Sequence, residues 1–195
     1  MGLPRLERVR SQRDISGDMV ASLDAKAIAN LTTTYNQYNA NLRTFHKAQA
    51  QRETYVQRSQ RLLKRLLIRF EVKDMGDYRP RISPKGFFYL HPGTTEVLEE
   101  EVEPNILDGD IVKGSLTAHE VRLINDLVTR LRHWETEITR LEQRHYEYRR
   151  ACLETYFTYF GNYLNDLIKS NYDLNNARLI INEVSGDVRC RLGTI

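Results

Sequence analysis

The 195-residue chain has few residues that interrupt secondary structure, with only five prolines and ten glycines. Because both residue types break regular elements, their scarcity predicts long, uninterrupted ones. Four of the five prolines and five of the ten glycines lie between Lys73 and Ser115. We therefore expect this stretch to be a compact connector between longer elements.

The chain also has little cysteine and no long apolar run. Its two cysteines, Cys152 and Cys190, form no CxxC pair, which is typical of a reducing compartment. No run approaches the roughly 18 apolar residues of a membrane span, and the N-terminus lacks the apolar core of a signal peptide. We expect a cytoplasmic or otherwise intracellular protein, or one packaged in a virion, that is not secreted through a signal peptide.

Charge is unevenly distributed along the chain. Between Asp74 and Leu116, nine acids face four bases, a net charge of −5, whereas the whole chain carries +3. The remainder therefore carries +8. A basic body with an acidic connector indicates that different parts of the chain contact different partners.

The first predicted long helix spans residues 18–72, which contain no proline. Its apolar residues recur in alternating steps of three and four, the spacing of a helix that packs along its whole length. These residues are Ile28, Leu31, Tyr35, Tyr38, Leu42, Phe45, Val56, Leu63, Leu66 and Phe70. Polar residues interrupt the seam at its centre, at Gln49, Arg52 and Ser59.

The second predicted long helix spans residues 117–170 and begins with Thr117-x-x-Glu120, the pattern of a capping box. Its seam comprises Ile124, Leu127, Leu131, Trp134, Ile138, Leu141, His145, Tyr148, Cys152, Tyr156, Phe160, Tyr163 and Leu167. The extra four-residue step after Cys152 is a stutter, which locally unwinds a supercoil.

Two helices of similar length on either side of a connector predict a mainly α fold, a long antiparallel two-helix coiled-coil hairpin. This pairing places Val56 near Trp134 and Leu42 near Tyr148. Aromatic residues outside the seam predict that further elements, from this chain or a partner, pack alongside the helices. These residues are Tyr55, Tyr146, Phe157, Tyr159 and Tyr172.

The remaining segments are predicted to be a basic arm, a connector and a tail. Residues 1–17 are predicted to be either a flexible arm or a docking arm that becomes ordered on a partner. In the acidic connector, residues 73–116, the runs 87–91 and 95–99 flank Pro92-Gly93 and predict a β-hairpin. In the tail, residues 171–195, two apolar runs flank Ser185-Gly186-Asp187 and predict a second hairpin, with a helical extension as the alternative.

The chain shows no motif of a known catalytic or metal centre. Lys113 precedes Gly114, whereas a phosphate-binding loop needs the lysine after its second glycine. Glu142-x-x-His145 has the spacing of a di-iron ligand pair, but the first helix offers no matching pair. Cys152 lies on the apolar seam, where a buried thiol is inert. We assign no catalytic, metal or cofactor-binding residue and expect no cofactor and no enzymatic activity.

The candidate interaction residues are basic or aromatic. A basic face on the first helix between Arg58 and Lys73 could contact phosphates or an acidic protein. The complete set is Arg5, Arg8, Arg10 and Arg13 in the arm, Arg58, Arg61, Lys64, Arg65 and Arg69 on the first helix, and Phe157, Tyr159 and Tyr172 near the C-terminus.

The order of helix, β-containing connector and helix resembles prefoldin-type chaperone subunits and, more loosely, head–tail adaptor proteins of viruses. The hypothesis that the sequence favours is a structural or assembly subunit of a large multiprotein complex, of which a virus particle is one candidate. Its partners would be other protein subunits in a homo- or hetero-oligomer, without a membrane. The alternatives are a nucleic-acid-associated helical protein that uses the basic face, and a prefoldin-like chaperone or adaptor.

Overall fold

The computed structural model describes residues 2–10, 16–83, 85–93 and 109–193. The fold is mixed α/β and 58% helical, with two long helices and two small sheets. The two long helices agree with the prediction, whereas the predicted mainly α class does not account for the two sheets. By its contacts the chain divides into a first unit, Met1–Lys47 with Ile138–Ile195, and a second unit, Ala48–Glu137.

Helix α1 spans Ala25–Arg69 and is shorter than predicted, because residues before it form the strand β2, Asp18–Ser22. The Asp24 carboxylate accepts a hydrogen bond from the backbone N–H of Ala27 at 2.7 Å, which caps the helix start. At the other end, Glu71 has a φ of 53°. Val72 N–H donates to Leu67 O at 2.9 Å, so the helix ends in a Schellman-type turn.

Helix α2 spans Ala118–Lys169, within one residue of the prediction at each end. The capping box is present, because Thr117 N–H donates to Glu120 Oε2 at 2.8 Å and Glu120 N–H donates to Thr117 Oγ1 at 3.2 Å. The helix is irregular at Phe160, where φ is −129° and ψ is 16°. This kink lies next to Gly161 and beyond the predicted stutter, which begins at Cys152.

The first unit contains a four-stranded sheet of order β1-β6-β7-β2, in which β1 is Arg5–Val9, β6 is Ala177–Asn182 and β7 is Asp187–Leu192. Strands β6 and β7 form the predicted C-terminal hairpin. Strand β1 pairs in parallel with β6. The expectation of a free basic arm is therefore wrong for residues 5–9, because their backbone groups are paired in the sheet.

The core of the first unit lies between the sheet and the two helices. Side chains from the inner face of β6 and β7 pack with Leu31 of α1 and with α2 residues such as Tyr156 and Leu164, all of which are fully buried. The first and last parts of the chain thus contribute to one hydrophobic core, which explains why alternating apolar residues occur in both.

The second unit contains a three-stranded antiparallel sheet of order β3-β4-β5, with β3 at Tyr78–Ile82, β4 at Phe87–Pro92 and β5 at Ile111–Ser115. The first strand of the predicted connector hairpin corresponds to β4, whose partners are β3 and β5. The predicted second strand, residues 95–99, lies outside the described residues.

Within each unit, the segments of α1 and α2 run antiparallel. In the first unit, the ring of Tyr35 stacks with Tyr156, and Asn41 Nδ2 donates to Leu141 O at 3.3 Å. In the second unit, Arg52 forms an ion pair with Glu135 at 3.2 Å. Every predicted seam residue of α2 is buried or half-buried. The 3.5-residue spacing therefore identified the inward face of this helix.

Candidate functional site

The second unit has an apolar groove between α1, β3 and α2. A cavity of about 210 Å³ opens there, and leucines of both helices line it together with Ile82 and Ile124. A wider cavity of about 670 Å³ shares Leu63, Ile82, Ile124 and Val128 with it. We call this surface the unit-two groove.

The charged residues that line the unit-two groove are both cationic. Arg81 of β3 and Arg132 of α2 line the wider cavity together with Asn125 and Thr129. Among the described residues, neither arginine has an acidic partner. An apolar floor beside two unneutralised guanidinium groups suits an amphipathic partner that carries carboxylates.

Large apolar side chains are also exposed on the second unit outside or at the edge of the groove. Val128, which lines the groove, is 41% exposed, and Ile68 of α1 is 70% exposed. The strand β5 exposes Ile111 and Val112. These side chains add to the apolar surface that the second unit exposes.

The predicted basic face of α1 falls entirely within the second unit, and its residues have different surroundings. Arg58 lies over the ring of Tyr55 at 5.3 Å from its centroid. Arg69 forms an ion pair with Glu120 and also lies over the ring of Phe70. These contacts neutralise or cover only part of the face.

Three residues of the basic face stay uncompensated. Arg61, Lys64 and Arg65 are exposed, and among the described residues none of them forms an ion pair or side-chain hydrogen bond. They lie on successive turns of one helix. The arrangement can attract an anion, but it holds none in a fixed geometry.

The predicted arm residues lie in the first unit, where two of them are paired. Arg8 and Arg10 both bind the carboxylate of Glu183, at 3.1 and 2.6 Å. The hydrogen bond from Arg10 lowers the pKa of Glu183. Arg5 is exposed, and Arg13 lies outside the described residues.

The three predicted aromatic interaction residues are not free surface groups. Phe157, Tyr159 and Tyr172 are half-buried and pack against the core of the first unit. The hydroxyl of Tyr172 donates to Gly193 O at 3.0 Å. The prediction that they contact further elements is correct, but those elements belong to the same chain. That their exposed parts also contact a partner stays a prediction.

His145, which follows Glu142 at the spacing considered for a metal site, lies on the helix seam as predicted. Its ring stacks with Phe45 at a centroid distance of 6.2 Å, and burial lowers its pKa. Among the described residues, no three histidine, cysteine, aspartate or glutamate side chains are close enough to hold a metal ion.

The two thiols are buried in the first unit. Burial raises the pKa of Cys152 to about 11 and also raises the pKa of Cys190. Both side chains therefore remain protonated at neutral pH, which makes them poor nucleophiles.

The sequence did not predict a buried pair in the second unit, His91 and Asp110. His91 Nδ1 and Asp110 Oδ1 are 2.7 Å apart, and the two side chains are 5% and 1% exposed. The other ring nitrogen, His91 Nε2, is buried and has no hydrogen-bond partner within the described part of the chain. The only sequence signal is a histidine within an otherwise apolar strand. The pair joins β4 to the residue before β5, and its closed surroundings favour a structural role.

Comparisons with protein-family models, curated proteins and solved structures give no match. Within the described ranges, no helix is both long enough and apolar enough to cross a bilayer.

Proposed function

We propose that the chain is a non-enzymatic structural or assembly subunit of a large multiprotein complex, with a virus particle as one candidate setting. The observation that supports this role is the unit-two groove, whose apolar floor is open and whose polar residues include Arg81 and Arg132. An amphipathic helix or extended segment of another subunit would bury the leucines and neutralise the two arginines.

This proposal assigns the main contact to a different surface from the one that the sequence indicated. The sequence left open that the arm docks on a partner, and it predicted the tail as a separate hairpin. Their residues 5–9 and 177–192 instead pair with each other or with β2 in the sheet of the first unit. The unit-two groove is therefore the better candidate, because it is apolar and accessible at the same time.

We also infer that α1 and α2 pack as an antiparallel coiled coil within each unit. The seam residues face inward, and the contacts Tyr35–Tyr156 and Arg52–Glu135 have the antiparallel order. Cysteines at Leu42 and Tyr148, or at Val56 and Trp134, should then form disulfides under mild oxidation. Equally rapid cross-linking of Leu42 with Trp134 would contradict this arrangement.

The groove is tested with one charged substitution and a matched control on the same helix. Val128 and Leu123 are both 41% exposed, but only Val128 lines the groove. We expect Val128→Asp to reduce recovery of native partners at least about tenfold in affinity purification after cross-linking, because the substitution puts a charge in the apolar contact. Leu123→Asp should leave partner recovery unchanged.

Circular dichroism of both variants separates loss of binding from loss of folding. Recovery of the same partners with Val128→Asp and with the unmodified chain, or no partner with either, would contradict the proposed function.

A second candidate function is nucleic-acid association through the basic face of α1. It is favoured by the exposure of Arg61, Lys64 and Arg65 without partners among the described residues. Phosphate-driven binding weakens steeply as salt rises. Arg61→Glu combined with Lys64→Glu should then reduce both the affinity for duplex DNA and its salt dependence, whereas Val128→Asp should affect neither. If the charge reversal leaves DNA binding unchanged, this candidate fails.

A further inference from the structure

Three arginines stand in register on the outer face of the sheet of the first unit. Arg5 of β1 pairs with Arg178 of β6, and Arg178 pairs with Arg191 of β7. Neighbouring strands are about 4.8 Å apart, so the three positions form a row about 10 Å long. We call it the arginine row.

The arginine row faces away from the core, because the residues that alternate with it point inward. Leu179 and Cys190, next to Arg178 and Arg191, are at most 1% exposed. All three arginines are exposed. Their placement follows from strand periodicity, because Arg178 lies between the buried Ala177 and Leu179, and Arg191 follows the buried Cys190.

The described contacts of the row neutralise only one of its charges. Arg178 Nη1 lies 3.3 Å from Glu7 Oε1, an ion pair whose side chains are 49% and 45% exposed. Arg191 donates to the neutral hydroxyl of Ser16. Among the described residues, Arg5 has no acidic partner.

Like charges directly opposite each other on neighbouring strands destabilise a sheet. The sheet that carries the arginine row needs no partner to fold, because the core beneath it is extensive. An anion that spans the row would nevertheless stabilise it by offsetting this repulsion. Each guanidinium group can bind a carboxylate through two parallel hydrogen bonds. The surface thus fits a partner with several closely spaced carboxylates.

The chain itself contains such a sequence. Residues 96–103 read EVLEEEVE, with five glutamates and no base. Residues 94–108 together carry six acids and no base, so the rest of the chain carries a net charge of +9. No other stretch of the sequence combines this acid density with the absence of lysine and arginine.

We propose that the arginine row of one copy binds the acidic segment, residues 96–103, of a second copy. The inference deepens the proposed assembly role but uses a surface distinct from the unit-two groove. Because the two partners present different surfaces, the contact is heterologous. Repeated from copy to copy, such a contact builds a ring if it closes and a filament if it does not.

The test uses the purified full-length chain and two charge-reversed variants. The row variant carries Arg5→Glu and Arg178→Glu, and the segment variant carries Glu99→Lys, Glu100→Lys and Glu101→Lys. Lys26→Glu with Arg43→Glu is the matched control, since both residues are exposed on α1 of the first unit and the change in net charge equals that of the row variant. Circular dichroism checks that each variant folds, and Arg5→Gln with Arg178→Gln replaces the row variant if it does not.

Sedimentation velocity over a concentration series measures self-association. We expect the unmodified chain and the control to associate at about 50 mM salt and to dissociate at about 500 mM, because screening weakens an exposed charge contact. The row variant and the segment variant should each associate at least about tenfold more weakly. An equimolar mixture of the two should associate again. In the mixture, the unchanged acidic segment of the row variant can bind the unchanged arginine row of the segment variant.

Restored association in the mixture would support a contact between copies. A monomeric unmodified chain at all concentrations, or variants that associate as strongly as the unmodified chain, would overturn the inference. A chain that binds duplex DNA through the row without self-association would also overturn it. None of these results bears on the Val128→Asp purification, so the proposed assembly function can fail or succeed separately.

Discussion

Arg69 in the last turn of α1 and Glu120 in the first turn of α2 form an ion pair in which Arg69 Nη1 lies 2.5 Å from Glu120 Oε1. Glu120 also accepts the backbone N–H of Thr117 through Oε2. One carboxylate therefore caps α2 and ties its start to the end of α1 within the second unit.

This double role predicts an acid-dependent loss of stability. The Thr117 N–H, followed by Arg69, lowers the pKa of Glu120 from 4.5 to about 2. A carboxyl with a lowered folded-state pKa stabilises the fold above its unfolded pKa and loses that contribution as the pH falls from about 4.5 to about 2. Since Glu120 lies near the surface, we expect about 1 kcal/mol.

The measurement is urea unfolding of the unmodified chain and of Glu120→Gln at pH 7 and at pH 3. Glu120→Gln should be less stable at pH 7, and the difference should shrink at pH 3. An equal difference at both pH values would show that the carboxylate charge contributes nothing.

Glu71 predicts a stabilising substitution. Its φ of 53° is in the left-handed region, which costs a residue with a Cβ about 1 kcal/mol relative to glycine. Glu71→Gly should therefore raise the free energy of unfolding by about 0.5–1 kcal/mol. Asn171, with a φ of 59° at the end of α2, is the control: asparagine tolerates this conformation, so Asn171→Gly should gain less. A loss of stability in Glu71→Gly would mean that its side chain contributes more than the backbone strain costs.

The buried pair of the second unit predicts a large cost when one partner is removed. Asp110→Ala leaves His91 Nδ1 buried without its carboxylate partner, so we expect about 3 kcal/mol of destabilisation. Asp126→Ala removes an exposed ion pair with Arg130 and should cost less than about 0.5 kcal/mol. Thermal unfolding of both variants measures the contrast, and similar costs for the two would show that His91 finds another partner.

The C-terminal hairpin predicts the effect of deleting the tail. Its residues Leu179, Ile181 and Val188 are fully buried in the core of the first unit. Deletion of residues 177–195 should therefore abolish the cooperative unfolding of the first unit and raise hydrogen exchange in the C-terminal half of α2. Val184→Ser, at an exposed turn position, should leave exchange unchanged. Protected helix amides after the deletion would show that the helices fold without the tail.

Two seam positions of α2 should differ in their energetic importance. A fully buried Trp134 would cost about 3–5 kcal/mol on substitution by alanine, but the residue is only half-buried. We expect about 1–2 kcal/mol for Trp134→Ala and about 3 kcal/mol for Leu164→Ala, whose side chain is fully buried. Urea unfolding ranks the two variants, and a larger cost at Trp134 would contradict the burial pattern.

Local patterns in the sequence were sufficient to predict the helices and the C-terminal hairpin. The Thr117–Glu120 capping box located the start of α2, because the hydrogen bonds of a capping box join residues only three positions apart. The 3.5-residue seam identified the inward face of both helices, because helical periodicity also depends only on residues three and four positions apart. In the tail, the two runs that flank Ser185-Gly186-Asp187 favoured the hairpin of β6 and β7 over a helical extension, and the structure confirms the hairpin.

Only the tertiary structure decided where the remaining segments pair. Strand β1 is held by β6, more than 170 residues away in the sequence, so no local pattern distinguishes it from a free basic arm. The arginine row likewise depends on strands that are distant along the chain, and the His91–Asp110 pair joins residues 19 positions apart. Sequence periodicity determines which side of an element is buried, whereas the burial of apolar surface shared among distant elements determines which of them meet.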